Sequence, residues 1–582
     1  MTVEPAPPPW YRSAAVVAVL AAAAVLFFAR LGDRGVVSEE LRWAEVAREM
    51  RLTGDYLHPT INGQTYYDKP LGTYWLIVAA SHLTGGVDET AARLPAAVAG
   101  WLGVLLVMLL ADRLYDRRAA VLAGAVLASS FGFAFYARRA TADVETVTGM
   151  LAAVWLFARN RDGPSGPWVL GLWLVMAATS LTKGLLGFAL PVAVLSTYGT
   201  WTGLADLFFL PPPLGGRAAL LFPPPLGGRE QKAWSVRGLA AAVVGGNRWL
   251  FNRWTPAAVV LGGLVYLLPF LLSVWETGAA DGLAMVWREN VRRFFAPHNH
   301  TGPVYLYAGV VFVLAAPWSA FLPAALVPRR GGDRLAAAFF WAVFVFFTLS
   351  ASRRSYYLLP VLPAVSLLVA RVLTASAADL RPAARWLRAG GYVVLFAGVV
   401  VAGVALVPPA DVLPAPYDRF PPLPARWAVG LGWAVALAAV GWVVARPGRR
   451  SVVAATVAFA GVGAVLLVAL PAAEDYRTRR TFAAEVRDRV AADPDRLALF
   501  HARDVAFDLG RAAPVPEFGT AGELAEAVRA GRVRWVVARR RYLAAVSLPV
   551  AAVCGEAVYP WDGADQLGDK MVLLEAAPAA GR

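Results

Sequence analysis

The chain has 582 residues, 58% hydrophobic and only 16% charged, with a mean hydropathy of +0.53. A soluble domain runs roughly 45–50% apolar and about 25% charged, so a soluble fold of this size is excluded and a polytopic membrane protein is the class that remains. The net charge of +15 would point to nucleic acid in a soluble chain, but the basic residues stand mostly in short loops between apolar runs, the membrane-topology pattern, so no nucleic-acid partner is expected; the single cysteine, Cys554, excludes a disulfide framework and a cysteine-rich zinc site.

A helical span takes about 20 apolar residues. The runs at 13–30, 93–113, 119–136, 144–159, 167–182, 184–201, 256–275, 303–326, 334–350, 355–373, 391–408, 427–445 and 452–470 predict about 13 transmembrane helices in a polytopic α-helical protein. The run 71–85 is short and contains His82, and reads as an interfacial or re-entrant helix. The run 13–30 reads as an uncleaved first span. Arginine bias puts the N-terminus in the cytoplasm, with Arg113, Arg117 and Arg118 inside early in the chain and Arg446, Arg449 and Arg450 late. The expected setting is the inner (plasma) membrane. Residues 1–470 then form the membrane domain. Within it, 31–92 is a long exoplasmic loop and 202–255 a Pro/Gly-rich cytoplasmic insert. That insert repeats PPPLGGR at 211–217 and 223–229. Residues 471–582 are richer in charge. Apolar runs at Arg496–His501, Arg534–Ala538 and Met571–Leu574, with a helical pattern at Ala521–Ala530, predict a small α/β domain on the exoplasmic face.

Some basic residues break the inside trend: Lys69, Arg138, Arg139, Lys183, Arg292, Arg293, Arg353 and Arg354 fall at the exoplasmic side beside spans. Glu39, Glu40, Glu45, Asp68, Asp143 and Glu145 share that face. Ionisable groups at membrane depth are costly unless they serve a cavity or pair with each other. Arginine forks and lysine point charges suit phosphate, so the pattern predicts a cavity for an anionic, phosphorylated lipid with carboxylates nearby. The first loop is the richest stretch. Its segment EELRWAEVAREMRLTGDYLHP reads as an amphipathic helix lying on the membrane and ending at Gly54-Asp55. Asn62-Gly63 marks a turn, and Tyr66, Tyr67, Tyr74 and Trp75 follow, with Lys69 among them.

These blocks resemble the polyprenyl-phosphate-sugar-dependent glycosyltransferases of the C superfamily, which include protein O-mannosyltransferases and lipid A aminoarabinose transferases. The resemblance rests on Glu39-Glu40, Arg42-Trp43-Ala44-Glu45, Ala47-Arg48-Glu49-Met50, Gly54-Asp55-Tyr56, Asn62-Gly63, Tyr66-Tyr67-Asp68-Lys69-Pro70 and Tyr74-Trp75. Further along, Ala92-Arg93-Leu94-Pro95, Arg138-Arg139-Ala140-Thr141-Ala142-Asp143 and Leu181-Thr182-Lys183-Gly184 are similar to later family blocks. Weaker likeness runs through Glu289-Asn290-Val291-Arg292-Arg293-Phe294, Pro317-Trp318 and Tyr356-Tyr357-Leu358-Leu359-Pro360. The family's first-loop aspartate, its catalytic base, falls on Glu39, one methylene longer; Glu40 is the competing assignment.

The resemblance implies inverting transfer of one sugar from a polyprenyl-phosphate carrier to a lipid (lipid A-like), glycan or protein acceptor outside the cytoplasm. Glu39 is the expected base and Asp143 a second carboxylate. Lys69, Arg42, Arg138, Arg139, Lys183, Arg293 and Arg354 are the expected donor-phosphate ligands. Trp43, Tyr67, Tyr74, Tyr356 and Tyr357 are the expected cavity walls. No metal ligand set is expected from the scattered His58, His298 and His300, no cofactor is required, and no nucleotide-binding loop is visible. A divalent cation has no support in the sequence. The alternative is a transporter or flippase for an anionic lipid-linked substrate, against which stands the lack of an internal repeat.

Overall fold

The computed structural model describes residues 13–161, 163, 166–208, 236–292, 302–327, 334–376, 378–406, 451–469, 471, 478–545, 550–558, 562 and 564–576. The PPPLGGR repeats, Arg293, His298, His300 and the predicted span 427–445 lie outside the described residues.

The first helix, α1, covers Ala14–Phe28 and is apolar throughout. Helix α2 covers Glu40–Thr53 and stops at Gly54, whose φ of 75° is the left-handed conformation that a glycine C-cap supplies. The strands Thr60–Ile61 (β1) and Gln64–Thr65 (β2) pair through Asn62 and Gly63, both at positive φ, as a two-residue hairpin turn demands. Helix α3 spans Gly72–Thr84. At 1.5 Å per residue it is about 20 Å long, short of the roughly 30 Å apolar slab. Its start crosses α8 (Trp168–Lys183) so closely that a β-carbon on Gly72 would lie 2.7 Å from the Leu181 carbonyl oxygen. Helices α4 (Glu89–Leu114) and α5 (Arg117–Ala128) begin at Asp88 and Asp116, whose carboxylates accept from the amides of Ala91 and Ala119 at 2.7 and 2.8 Å. The short α6 (Phe131–Tyr136), then α7 (Asp143–Asn160) and α9 (Leu186–Phe208), complete the part that frames the site.

Among the described residues, two of the expected runs are broken. The run 119–136 is divided between α5 and α6, and 303–326 is two pieces, Leu306–Leu314 and Trp318–Ala325, bent by 120°. Among the described residues three helices are long and apolar enough to cross a membrane, four if that bent pair is one span. Five shorter apolar helices lie beside them. The protein is a mostly helical, polytopic membrane protein. Helix α2, expected on the membrane surface, is instead mostly buried between α3, α4 and the C-terminal unit.

That unit carries a five-stranded sheet in the order Glu517–Phe518 (β4), Leu497–Phe500 (β3), Trp535–Arg539 (β5), Met571–Ala576 (β7) and Val550–Gly555 (β6). The first two pairings are parallel and the last two antiparallel. Alternate residues of β3 feed two cores, as the period of a strand requires. Leu497 and Leu499 pack with Phe482 and Val486 of the helix Arg480–Val490, and Ala498 and Phe500 pack with Leu524 of the helix Ala521–Arg529. The unit docks on the first loop. Asn62 and Val515 exchange two hydrogen bonds, 2.8 Å from the Asn62 amide to the Val515 carbonyl and 2.7 Å back. Arg48 donates to the Arg511 carbonyl at 2.6 Å, and Arg480 binds Glu89 at 2.5 Å.

Candidate active site

The N-terminus of α2, the stretch after the hairpin, the end of α8 and the segment Trp287–Arg292 surround a cavity of about 220 Å³. Several elements bring its ionic groups together. The turn before α2 supplies Glu39, whose side chain is 29% exposed; from its place before the helix it reaches Arg354 and the Tyr356 hydroxyl, the latter at 3.3 Å. One turn along α2, Arg42 lies 3.9 Å from Glu39 and donates to the Tyr66 hydroxyl at 2.9 Å and to Asp68 at 3.2 Å. Lys69 then bridges Asp68 at 3.1 Å and Glu289 at 3.3 Å. On the far side the Lys183 ammonium, at the end of α8, pairs with Asp143 at the start of α7 and lies 5.0 Å above the Tyr356 ring. Arg354 lies 5.6 Å from the same ring, so two cations stand against one aromatic side chain. Trp43 and Tyr74 close the back as a tilted pair, 4.8 Å between centroids, and Tyr357 lines the cavity beside Tyr356.

Burial raises the Glu39 pKa, but Arg354, and after it Arg42 and Lys183, outweigh burial and hold the carboxyl below its ordinary value. Tyr66 moves the other way: burial pushes its phenol up to about 12 against the pull of Arg42, so it is a neutral donor and acceptor beside the cavity.

Four of the expected site residues sit elsewhere. Glu40 is fully buried behind the cavity; it pairs with Arg93 at 2.8 and 3.0 Å and accepts from the amides of Val37 and Ala140. Arg138 turns to the end of α1, donating to the carbonyls of Leu26 at 2.8 Å and Phe27 at 3.2 Å, acceptors that a helix C-terminus leaves open. Burial, with Arg34 and Arg93 nearby, lowers the Arg138 pKa to about 10. Arg139 lies over the Phe135 ring at 4.3 Å. The Tyr67 hydroxyl is engaged at 2.8 Å with both the Leu57 carbonyl and Ser273, outside the cavity. Conversely, Tyr66, Arg288 and Glu289 line the cavity and were not expected as site residues, and Asp68, expected only as a carboxylate near it, lines it as well. Tyr66, Asp68 and Glu289 stand inside the family-like blocks, which was the available signal. His58, the one candidate metal histidine of the three among the described residues, binds Asp55 at 2.9 Å.

The cavity continues into a more apolar groove of about 150 Å³. The two share Asp68, Lys69, Lys183, Glu289 and Tyr357, and the groove runs on past Leu185, Leu186 and Ala189 to Phe346 and Phe347. Asn290 fixes the junction, accepting from the Leu185 amide at 2.7 Å. A charged pocket joined to an apolar groove is the shape that a phosphorylated lipid fills.

The sequence comparisons return glycosyltransferases, the class that the resemblance read from the first loop implies. A family model described as dolichyl-phosphate-mannose-protein mannosyltransferase matches residues 68–215. The undecaprenyl phosphate-alpha-4-amino-4-deoxy-L-arabinose arabinosyl transferase of Pseudomonas aeruginosa (strain LESB58) is 29% identical over 362 residues, 60% of this chain and 58% of the relative. That of Edwardsiella ictaluri is 26% identical over 347 residues, 57% of this chain and 54% of the relative. The chain thus spans little more than half the length of the curated relatives it matches. The crystal structure of ArnT from Cupriavidus metallidurans bound to undecaprenyl phosphate superposes with a TM-score of 0.67 at 23% identity, covering 97% of this chain and 99% of that one. The relatives are transferases, which gives the transporter alternative no support.

Proposed function

We propose that the protein is a membrane glycosyltransferase that moves a single sugar from a polyprenyl-phosphate donor to an acceptor hydroxyl on the exoplasmic face, with inversion. The observation that carries this reading is the junction of the two cavities. Lys69 and Lys183 stand where the ionic pocket meets the apolar groove, so a lipid phosphate there meets two point charges while its isoprenoid chain runs along Leu185, Leu186 and Phe347. The sugar then occupies the pocket between Trp43, Tyr74 and Glu39.

In the transfer step the acceptor oxygen bonds to the anomeric carbon, the bond from that carbon to the phosphate oxygen breaks, and the acceptor proton passes to Glu39. A positioned carboxylate contributes about 10²–10⁴-fold in such a step. The depressed pKa keeps Glu39 ionised and ready, though it makes a weak final holder of the proton. The displaced phosphate monoester, with a second pKa of about 6, is the better resting place. Arg42, Lys69 and Lys183 offset the charge that grows on the leaving phosphate, and no cofactor enters the step. Asp143, paired with Lys183, orients that lysine.

The relatives' names supply the donor for a first test: undecaprenyl-phosphate aminoarabinose. Purified protein in nanodiscs is expected to transfer this sugar to a lipid, glycan or protein acceptor, with lipid A tried first and product mass as the readout. Absence of transfer with every acceptor class would overturn the reading. Docking of the C-terminal unit on the first loop supports a shared face for the two, exoplasmic by the arginine bias, with the N-terminus cytoplasmic. A cysteine at Gly519 in a Cys554→Ser background is expected to react with an impermeant reagent on intact cells.

A further inference from the structure

A second cleft, of about 360 Å³, lies between α2, the hairpin and the C-terminal sheet. Arg42 and Tyr66 line both this cleft and the active-site cavity, so the two spaces are separated by those two side chains. The opposite wall is aromatic. The His501 and Tyr542 rings pack as a tilted pair, 4.3 Å between centroids and 30° apart. His501 is set there by its backbone, with φ 51° in the left-handed region, and its carbonyl accepts from Arg539 at 2.9 Å. A non-glycine residue in that conformation is uncommon, and such strain concentrates at binding sites.

The charges in the cleft are matched. Of its arginines, Arg503 binds Glu517 at 2.8 Å, Arg539 binds Asp504 at 2.7 Å and Arg42 binds Asp68 at 3.2 Å, while its Glu45 is paired with Arg48 at 2.7 Å. A cleft whose cations are each neutralised by a carboxylate has little pull on a phosphate. Its carboxylates retain lone pairs for hydroxyl donors, and its guanidinium groups retain hydrogens for hydroxyl acceptors. An aromatic platform offers the apolar face that a sugar ring's C–H groups cover. Those three properties together describe a site for an uncharged, hydroxyl-rich ring.

We propose that this cleft binds a neutral sugar ring of the acceptor on the His501–Tyr542 platform and presents the acceptor hydroxyl to the cavity past Arg42 and Tyr66. The inference rests on the transferase reading above for the word acceptor, and on the cleft alone for the sugar.

The two parts separate by experiment. Saturation-transfer NMR on the full chain in nanodiscs would use neutral disaccharides of glucose, mannose, galactose and N-acetylglucosamine as probes. At least one is expected to receive signal, and the signal is expected to fall at least about fivefold in Tyr542→Ala and in Arg503→Gln, but not in Tyr542→Phe, which keeps the ring. No signal with any probe, or equal signals in the parent and both variants, overturns the cleft even if the enzyme transfers sugar. A variant-sensitive signal without transfer to any acceptor supports the sugar site and removes the transferase reading instead. Where transfer occurs, the KM for the acceptor is expected to rise about tenfold in Tyr542→Ala while that for the donor moves less than about twofold. An unchanged acceptor KM overturns the inference. Comparing an acylated saccharide acceptor with its deacylated form identifies the source of the ring: a lower KM with chains marks a glycolipid, equal values a soluble glycan.

Discussion

Two ionic clusters meet at the start of α2, built from the same residue types and doing opposite things. In the one behind the helix, Arg93 and Glu40 have no exposed side-chain surface, and Arg93 spends its remaining hydrogens on the carbonyls of Leu31, Arg34 and Gly35 at 3.0, 2.7 and 2.8 Å. In the one before it, Glu39 and Arg354 are 29% and 25% exposed and are held mostly by other side chains. An arginine locked to backbone carbonyls is part of the framework, because moving it strands buried acceptors. An arginine paired with a partly wet carboxylate can exchange that partner for a phosphate at modest cost. What the guanidinium is bonded to, and how wet it is, tells a structural arginine from a functional one better than its distance from the cavity.

The contrast can be broken most forcefully behind the helix. Arg93→Ala leaves Glu40 buried and uncompensated, which costs about 3–5 kcal/mol. The expected outcome is loss of folded protein on size-exclusion chromatography, with Glu40→Gln less severe. Burial raises the Glu40 pKa, but Arg93, and after it Arg139 and Arg34, outweigh burial and hold it at about 2, below its unfolded value. The stability it contributes is therefore present above the unfolded pKa and lost only as pH falls through about 2, so this pair is expected to add no slope to a melting curve between pH 5 and 9. In front of the helix, Glu39→Gln is expected to leave the fold and donor binding intact and lower turnover by about 10²-fold or more. Glu39→Asp, the family's residue, is expected to retain activity. Wild-type turnover in Glu39→Gln would remove Glu39 as the base.

Arg354→Ala sharpens the same point through pH. With its principal cation gone, Glu39 is left with burial, which raises its pKa, against the weaker help of Arg42 and Lys183. The acid limb of the kcat profile, which the depressed pKa places below the ordinary glutamate range, is expected to move to higher pH. An unmoved limb would show that Glu39 is not the group titrating.

Much of this was visible in the residues. The blocks Arg42-Trp43, Asp68-Lys69 and Tyr74, with Lys183 and Tyr356-Tyr357, converge on one cavity although they are scattered over more than 300 residues of sequence. Which of two adjacent glutamates faces it was not readable, because neighbouring positions on a helix differ by about 100° and the start of α2 fixes the rotation. Arg138 was misread because its partners are backbone carbonyls of α1, which no side-chain pattern announces. The bend between Leu306–Leu314 and Trp318–Ala325 falls inside one unbroken apolar run of sequence, 303–326, so hydropathy alone carries no sign of it. In the C-terminal unit, β3, β5 and β7 stood out as apolar runs. The two-residue β4 and the partly exposed β6 carry no comparable signal.

The finest test of the comparison is another adjacent pair, Tyr66 and Tyr67. The Tyr66 hydroxyl accepts from Arg42, which it helps hold against Asp68 at the cavity wall. The Tyr67 hydroxyl closes a contact between the first loop and the helix Thr255–Thr277, through the Leu57 carbonyl and Ser273. Removing either hydroxyl deletes hydrogen bonding worth about 1 kcal/mol per bond. The two losses fall on different observables. Tyr66→Phe frees Arg42 to move, so the donor KM is expected to rise about three- to fivefold with little change in melting temperature. Tyr67→Phe loosens a packing contact away from the ionic groups and loses two hydrogen bonds, so melting is expected to drop by about 1–2 °C, which is what about 2 kcal/mol produces in a chain this large, with donor KM within about twofold of the parent. If the two variants exchanged these signatures, the boundary drawn here between framework and site would run on the wrong side of Tyr66.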